Sequence, residues 1–330
     1  MLLSVIVPCF NEEAVLRSTH ERLTNVLRGL HHLSFEIIYV DDGSLDQTAI
    51  ILAELQASNR EVKVLTLARN FGQQIAVSAG IEHASGDAVV LIDSDLQDPP
   101  EVIPEMVKLW LAGSDVVYGT RSSREGENHF KLWTAKAFYR LINRLSETPI
   151  PIDSGDFRLM DRKVVDVLLS MPERDRFLRG MVGWVGFKQV ALPYSRASRS
   201  AGESKYSFFK MLSFAMDGIL SFSLLPLKLA VWTGVVAIWI ALCGILLALF
   251  IRMFGLYHLQ VGRGWASLFV AVLFMGGVQL VFLGIVGEYL GRIYTEVKRR
   301  PLYVVAKRQG FENSEKGKSA SQDRAKIVGL

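Results

Sequence analysis

Short runs of Val, Ile and Leu alternate with helical patterns over the first 120 residues of the chain. Continuous apolar runs of this kind are typical of strands buried on both faces of a parallel sheet. They predict strands at residues 2–8, 35–40, 62–67, 88–92 and 115–118, and a later strand at 187–194. Between the first two runs, residues 12–30 place their apolar positions on one helical face. The alternation predicts an α/β fold with a doubly wound, mostly parallel sheet that binds ligands at the carboxyl ends of its strands.

Two longer apolar runs without charged residues follow at residues 229–251 and 265–287. A helix of about 20 residues spans the roughly 30 Å hydrocarbon core of a bilayer, so these runs predict two transmembrane helices. Two buried helices of a large soluble domain are the alternative. Residues 206–223 alternate apolar and small polar positions beside lysines, which predicts an amphipathic helix in the membrane interface. An ordinary core helix is the alternative there.

The basic residues near these runs predict an orientation. Lys205, Lys210 and Lys228 precede the first run and four basic residues follow the second between 292 and 300, whereas the loop 252–264 holds two arginines. The positive-inside rule places both flanks in the cytoplasm. We therefore expect a multi-pass protein of the cell inner (plasma) membrane with both termini cytoplasmic. Its expected parts are a cytoplasmic domain at 1–200, an interfacial segment at 201–228, a two-helix membrane region at 229–287 and a cytoplasmic segment with a disordered tail at 288–330.

Composition removes several classes of function. The net charge of +4 is modest, and no basic run is interleaved with aromatic residues, so we expect no nucleic-acid partner. The two cysteines, Cys9 and Cys243, predict no disulfide framework and fit a reducing cytosol. No basic, cleavable leader precedes the first strand, so we expect no signal peptide. Glycine-rich phosphate loops are missing after the first strand, which argues against kinases, ATPases and dehydrogenases.

The sharpest candidate for chemistry is the acidic end of the fourth predicted strand. Asp93 and Asp95 lie two residues apart, so a strand would point both side chains to the same side. Two carboxylates at the carboxyl end of a strand suit a hard divalent cation that keeps waters and takes phosphate oxygens. A solvated acidic turn has the same pattern, and the two interpretations are separated only by the surrounding motifs.

Those motifs resemble family 2 glycosyltransferases of the GT-A fold. Each follows or opens a predicted strand, in the order Pro8-Cys9-Phe10-Asn11-Glu12-Glu13, then Val40-Asp41-Asp42-Gly43-Ser44, then Gly86-Asp87 before Asp93-Ser94-Asp95. Later motifs resemble the polyprenyl-phosphate branch, with bactoprenol glucosyltransferases nearer than dolichol-phosphate mannose synthases. They are Gly119-Thr120-Arg121, Gly155-Asp156-Phe157-Arg158, Gly202-Glu203-Ser204-Lys205 and the run that begins Gly287-Glu288-Tyr289-Leu290.

The resemblance implies a role for each matched position. The nucleotide-sugar pocket would contain Pro8, Asn11, Glu12, Asp41 and Asp93. Magnesium or manganese would be held by Asp93, Asp95 and Gln97. The acceptor phosphate would meet Arg121, Lys131 and Lys205. The catalytic residues would be Asp95, through the metal ion, and Asp156.

Asp156 and two further positions, Asp42 and Arg69, keep more than one interpretation. Asp156 would either accept a residual proton or position the acceptor through Arg158, and a structural pair of Asp156 with Arg158 is the alternative. Asp42 would either join the nucleotide pocket or form the turn before Gly43. Arg69 would either join the phosphate-binding residues or form a structural ion pair.

The function implied by the resemblance is that of a membrane-bound inverting hexosyltransferase. It would move one sugar from a nucleotide donor, with UDP-glucose favoured, to undecaprenyl or another polyprenyl phosphate for cell-envelope glycosylation. GDP-mannose and a UDP-amino sugar are alternative donors. A processive synthase is disfavoured because the chain has two predicted spans and lacks a Gln-x-x-Arg-Trp motif. A catalytically silent membrane scaffold or lipid transporter is the alternative from another class. We expect a homo-oligomer, and a homotetramer fits the relatives.

Overall fold

A computed structural model of the chain describes residues 1–121, 154–174, 176–195, 225–254 and 265–311. These residues form two compact units. The α/β unit contains the described residues up to 195 together with residues 301–311. The helical unit contains the described residues between 225 and 300.

The α/β unit is built on an eight-stranded sheet within the described part of the chain. Its strands are β1 (Leu2–Cys9), β2 (Ser34–Asp41), β3 (Val62–Leu67), β4 (Ala88–Leu91), β5 (Val116–Arg121), β6 (Ser154–Asp161), β7 (Gln189–Tyr194) and β8 (Val305–Gln309). Their order is β7-β5-β6-β4-β1-β2-β3-β8. Pairing is parallel from β3 through β2 and β1 to β4 and between β5 and β7, while β6 and β8 run antiparallel to their neighbours. The predicted strands and the mostly parallel α/β sheet are confirmed, with boundaries that differ from the prediction by at most three residues.

Helices cover both faces of this sheet. One face carries α1 (Leu16–Arg28), α2 (Thr48–Ser58) and α4 (Ile103–Leu111); the other carries α3 (Gln73–His83), α5 (Arg162–Ser170) and α6 (Leu178–Val185). Successive side chains of β1 serve the two layers in turn, because Val5 and Val7 pack into the first core and Ile6 into the second. Full burial of one such side chain contributes roughly 1.5–3 kcal/mol. The helix predicted from the pattern of residues 12–30 is present as α1, which begins at Leu16.

The strand β8 is a feature that the sequence analysis missed. It pairs antiparallel with β3, with Val64 opposite Gln309, and the N–H of Ala68 donates to the carbonyl of Val304 at 2.8 Å. In the sequence, Lys307 and Arg308 are followed by a polar segment, so this stretch has the composition of a polar tail and not of a strand. Charged side chains are common on edge strands, because they discourage pairing with other chains. Residues 301–311 therefore belong to the α/β unit.

The helical unit consists of α7 (Leu225–Met253) and α8 (Trp265–Lys298) in the described residues. Each predicted apolar run lies within one of these helices. The stretch Leu268–Lys298 of α8 is long and apolar enough to cross a membrane. Its apolar 18-residue window has a mean hydropathy of 2.5, and none of that window is buried. The corresponding apolar stretch of α7, Leu229–Gly244, is shorter than a span. One candidate span is thus present in the described part, and the second stays a prediction. The predicted interfacial helix at 206–223 lies outside the described residues.

Candidate active site

The predicted nucleotide-binding residues lie at one edge of the sheet. Pro8 pairs with Val40 and Cys9 with Asp41 at the carboxyl ends of β1 and β2. The loop after β4 begins beside them, because β4 is parallel to β1 and adjacent to it. The carboxyl ends of parallel strands are where ligands bind in open α/β sheets. The fold therefore brings three separate stretches of sequence to a single candidate site.

The loops after β1 and β2 are joined by hydrogen bonds. The N–H of Asn11 donates to Ser44 Oγ at 3.0 Å, and the N–H of Leu45 donates back to Asn11 Oδ1 at 2.8 Å. The N–H of Glu12 donates to Thr48 Oγ1 at 2.9 Å. Asn11 has a φ of 56°, in the left-handed region that asparagine tolerates better than most residues. Strained backbone of this kind concentrates at functional sites, which fits the predicted role of Asn11.

Asp41 and Asp42 are both buried but have different partners. Asp41 Oδ1 accepts from the N–H of Ser44 at 2.9 Å, which keeps it in the joined loops. Asp42 accepts from the N–H of Phe71 at 2.7 Å and of Gly72 at 2.8 Å, one to each carboxylate oxygen. Asp42 therefore holds the loop that leads into α3. This arrangement supports the structural alternative for Asp42 over a place in the nucleotide pocket.

Asp93 follows β4 at the same edge and is partly buried. Its Oδ1 accepts from the side-chain amide of Gln73 at 2.7 Å. Burial, and after it the negative charges of Asp156, Asp98 and Asp95, together raise the pKa of the Asp93 carboxyl to about 7, against the opposing attraction of Arg179. Several carboxylates thus converge at this edge of the sheet.

The rest of the acidic loop is also ordered by hydrogen bonds. Asp95 Oδ1 accepts from the N–H of Gln97 at 3.1 Å, and Leu96 between them has a φ of 57°. A leucine in the left-handed region is strained, which again marks this loop as a functional candidate. Asp98 is buried and accepts from the hydroxyl of Tyr194. Among the described residues, no three His, Cys, Asp or Glu side chains group as a metal site.

Asp156 comes from β6, which is distant in sequence from the acidic loop. Since β6 is antiparallel to β4, with Arg158 paired to Leu91, the start of β6 lies beside the end of β4. Arg179 of α6 binds Asp156, with Nε 2.7 Å from Oδ1 and Nη2 3.1 Å from Oδ2. Burial alone would raise the pKa of Asp156, but the charge and hydrogen bonds of Arg179 lower it overall, with help from Arg158 and Gln74.

Arg158 and Arg69, which the sequence analysis also considered, both have local partners. Arg158 is buried, donates from Nη2 to the carbonyl of Gly155 at 3.0 Å, and has an Nε without a hydrogen-bond partner among the described residues. Burial lowers the pKa of Arg158 to about 10. The hydrogen-bonded ion pair of Asp156 is thus with Arg179, and the Asp156–Arg158 ion pair considered as an alternative is not formed. Arg69 lies over the ring of Phe71 at 4.1 Å and donates to the carbonyl of Asn70 at 2.9 Å.

The predicted acceptor-phosphate residues are not placed by the described structure. Arg121 ends β5, but its side chain is outside the description, as are Lys131 and Lys205 altogether. Their roles stay predictions.

Three residues that contact the predicted carboxylates were missed by sequence reasoning: Gln73, Gln74 and Arg179. The amide of Gln74 donates to Asp156 Oδ2 at 3.3 Å. The available signal was the adjacent pair of glutamines directly after Gly72, between the third and fourth predicted strands. Arg179 had no such signal, because its pairing with Asp156 depends on the packing of α6.

The chain belongs to glycosyl transferase family 2, whose family model matches residues 4–169. It is a glycosyltransferase, and the hexosyltransferase expected from the sequence motifs is confirmed. The mostly parallel sheet with helices on both faces is consistent with the GT-A fold.

Individual relatives cover nearly the whole chain. An uncharacterized glycosyltransferase of Synechocystis sp. is 50% identical over 310 residues, which are 94% of this chain and 96% of the relative. The SfII prophage-derived bactoprenol glucosyl transferase of Shigella flexneri is 42% identical over 307 residues, 93% of this chain and 98% of the relative. A solved glucosyl-3-phosphoglycerate synthase of Mycobacterium tuberculosis is 24% identical with a TM-score of 0.44, covering 66% of this chain and 77% of its own. Likeness at that level carries no functional argument.

Proposed function

We propose that this glycosyltransferase is a membrane-bound, inverting enzyme that transfers one sugar from a nucleotide donor to a polyprenyl phosphate. The observation that carries the proposal is the meeting of Asp93 and Asp156 at the carboxyl edge of the sheet, where the negative charge of Asp156 helps to raise the pKa of Asp93. Asp93 belongs to the donor-side motif and Asp156 to the motif typical of the polyprenyl-phosphate branch. The relative of Shigella flexneri that is named a bactoprenol glucosyl transferase supports the same acceptor class.

The favoured donor is UDP-glucose. The joined loops of Asn11 and Asp41 provide a hydrogen-bonded wall for the nucleoside, in which Asp41 is buried and Asn11 is exposed, with the acidic loop beside it. The sugar named for the Shigella flexneri relative favours glucose. GDP-mannose and a UDP-amino sugar are the competing donors.

A divalent cation, magnesium or manganese, fits the residues of the acidic loop. Asp93, Asp95 and Gln97 offer two carboxylates and an amide oxygen, which are donors that these hard cations prefer. The raised pKa of Asp93 reflects burial and an excess of neighbouring negative charge, which a cation would offset. Three donors leave coordination positions for water and phosphate oxygens. When bound, the ion would stabilise the charge that develops on the departing diphosphate.

The proposed chemistry needs no strong base. A phosphate monoester has a second pKa near 6, so a lipid phosphate is largely ionised at neutral pH and can attack directly. Asp156 is held by Arg179 with both oxygens occupied and its pKa lowered. This favours Asp156 as a fixed negative charge that orients neighbouring groups. A single displacement at the anomeric carbon inverts its configuration, and Arg121, Lys131 and Lys205 are proposed to meet the acceptor phosphate.

The membrane part of the proposal rests on α8. Its large apolar side chains are exposed on all sides, including Phe274 and Leu280, as expected for a helix surrounded by lipid. We propose that α7 forms a second span and that both flanks are cytoplasmic, as the distribution of basic residues indicates. A homotetramer is the proposed assembly. Anchoring would hold the α/β unit at the surface where a long-chain acceptor presents its phosphate.

The test is a donor panel with the full-length protein in detergent or vesicles. Undecaprenyl phosphate and magnesium are incubated with UDP-glucose, GDP-mannose or UDP-N-acetylglucosamine, and the extracted lipid is analysed by mass spectrometry. The expected product is undecaprenyl phosphate carrying one hexose from UDP-glucose. Transfer from another donor would correct the sugar, and the absence of any glycosylated lipid would overturn the proposed acceptor.

A further inference from the structure

The first two residues of α3 contact the two sides of the candidate site. The amide of Gln73 donates to Asp93 Oδ1 at 2.7 Å, and the amide of Gln74 donates to Asp156 Oδ2 at 3.3 Å. Asp93 lies in the donor-side loop after β4, while Asp156 lies on β6. Two adjacent residues of one helix thus touch carboxylates that are 63 positions apart in the sequence, at 93 and 156.

The start of α3 is itself held firmly. Asp42 accepts from the N–H groups of Phe71 and Gly72, directly before the helix. The first turn of α3 then enters the core through Ala76 and Val77, which are buried. The two glutamine side chains therefore extend from a backbone that is anchored at the end of β2 and in the core.

Gln74 has a second contact that links it to the partner of Asp156. Its Oε1 accepts from the N–H of Leu178 at 3.3 Å, and Leu178 directly precedes Arg179. Arg179 then binds Asp156 through Nε and Nη2 of its guanidinium group. Gln74, Asp156 and Arg179 form a closed arrangement that joins α3, β6 and α6.

We propose that Gln73 and Gln74 are positioning residues with separate tasks, Gln73 orienting Asp93 for the nucleotide and Gln74 orienting Asp156 for the transfer step. The proposal rests on the proposed function, in which these carboxylates serve donor binding and transfer. A neutral amide suits this task, because it fixes a carboxylate by hydrogen bonding and leaves its negative charge in place. Fixed orientation of charged groups before the reaction is a major source of rate enhancement.

The test replaces each glutamine by leucine, which keeps the approximate size and removes the amide. Gln73→Leu should raise the donor KM and the dissociation constant of the nucleotide about tenfold, with kcat changed less than threefold, because a hydrogen bond to a charged group is lost on the donor side only. Gln74→Leu should lower kcat about tenfold to a hundredfold, with the donor dissociation constant within twofold of wild type. Gln56→Leu is the matched control, since Gln56 lies near the end of α2, away from the joined loops and on the opposite face of the sheet.

Nucleotide binding is measured by calorimetry on the full-length protein with UDP plus manganese, and melting temperature is measured alongside. The proposal is overturned if the two variants alter KM and kcat alike, or if both effects follow a common loss of thermal stability, since α3 would then have only a structural role. A wild type that hydrolyses UDP-glucose but never glycosylates undecaprenyl phosphate would overturn the proposed acceptor. In that case Gln73→Leu should still weaken UDP binding, and Gln74→Leu should still lower the rate of UDP-glucose hydrolysis. If the two variants did not differ in this way, the positioning roles would be overturned.

Discussion

Arg179 binds Asp156 through two parallel hydrogen bonds, from Nε to Oδ1 at 2.7 Å and from Nη2 to Oδ2 at 3.1 Å. Bidentate pairs of this kind fix both the orientation and the charge of the carboxylate. The arginine side chain is 28% exposed and the aspartate 13%, so the pair is only partly screened by solvent. The charge state of Asp156 therefore depends on Arg179.

Replacing Arg179 tests this dependence. With Arg179 present, the pKa of Asp156 lies below its usual value, so the carboxylate stays ionised to low pH. In Arg179→Leu, burial dominates and raises that pKa, so the acid limb of kcat/KM should move to higher pH. Activity at neutral pH should fall about tenfold to a hundredfold.

The matched variant is Arg179→Lys, which keeps the positive charge and loses the two-pronged geometry. It should lose activity while its acid limb stays close to that of wild type. An unchanged pH profile in the leucine variant would show that Asp156 does not control activity through its charge.

Much of the fold could be predicted because its signals are local. The apolar runs of β1 to β4 lie within single stretches of sequence, and their burial on both faces follows from their composition. The strand β8 could not be predicted in this way. Its sequence, with Lys307 and Arg308, acquires strand structure only by pairing with the edge of β3.

The candidate site likewise contains residues that the sequence predicts and residues that it does not. Asn11, Asp41, Asp93 and Asp95 directly follow predicted strands, so the parallel topology that brings them together is implied by the pattern. The contacts of Gln74 and Arg179 with Asp156 depend on how α3 and α6 pack against β6. No short-range spacing specifies those contacts, so motif analysis could name the carboxylate and miss what holds it.

Gly43 provides a test of the loop that holds α3. It has a φ of +71°, and a Cβ there would lie 2.5 Å from the backbone carbon of Arg69. Gly43→Ala should therefore force apart the loops joined by Asp42, lowering the melting temperature and weakening nucleotide binding. Gly113→Ala is the control, because Gly113 also has a positive φ, +93°, but a Cβ there meets nothing within 4 Å. Equal effects of both changes would mean that backbone strain alone matters.

The buried carboxylate of Glu36 makes the stability of the α/β unit depend on pH. Burial alone would raise the pKa of Glu36, but hydrogen bonds with Lys63, Ser4 and the N–H of Ser85 lower it overall. Because the pKa of Glu36 is lower in the folded protein, its carboxylate stabilises the fold at any pH above its pKa in the unfolded chain, which is near 4.3. That stability is lost as the pH falls through the pKa of Glu36 in the folded protein.

Glu36→Gln should reduce stability at neutral pH by about 1–3 kcal/mol and flatten the loss of melting temperature below about pH 5. Glu105→Gln is the control, since the ion pair that Glu105 forms with Lys108 is exposed to solvent. Thermal unfolding of the full-length protein across this pH range measures both. A variant as acid-sensitive as wild type would contradict the role of Glu36.

The strand β8 should stabilise the α/β unit. A chain that ends at Arg300 loses the pairing with β3 and the hydrogen bond from Tyr303 to Glu82, so its melting temperature should fall by several degrees. A chain that ends at Phe311 keeps both and should melt like the full-length protein. If the two shortened chains melt alike, β8 contributes nothing to stability.

The most direct measurement of the central claim is the transfer of radiolabelled glucose from UDP-glucose to undecaprenyl phosphate in the presence of magnesium. The account predicts label in the organic phase with wild type and with Asp166→Asn, a change at an exposed position of α5. It predicts almost no label there with Asp95→Asn or after chelation, because the negative charge on the departing diphosphate would then be poorly neutralised. Label confined to the aqueous phase, or equal transfer by Asp95→Asn and wild type, would contradict it.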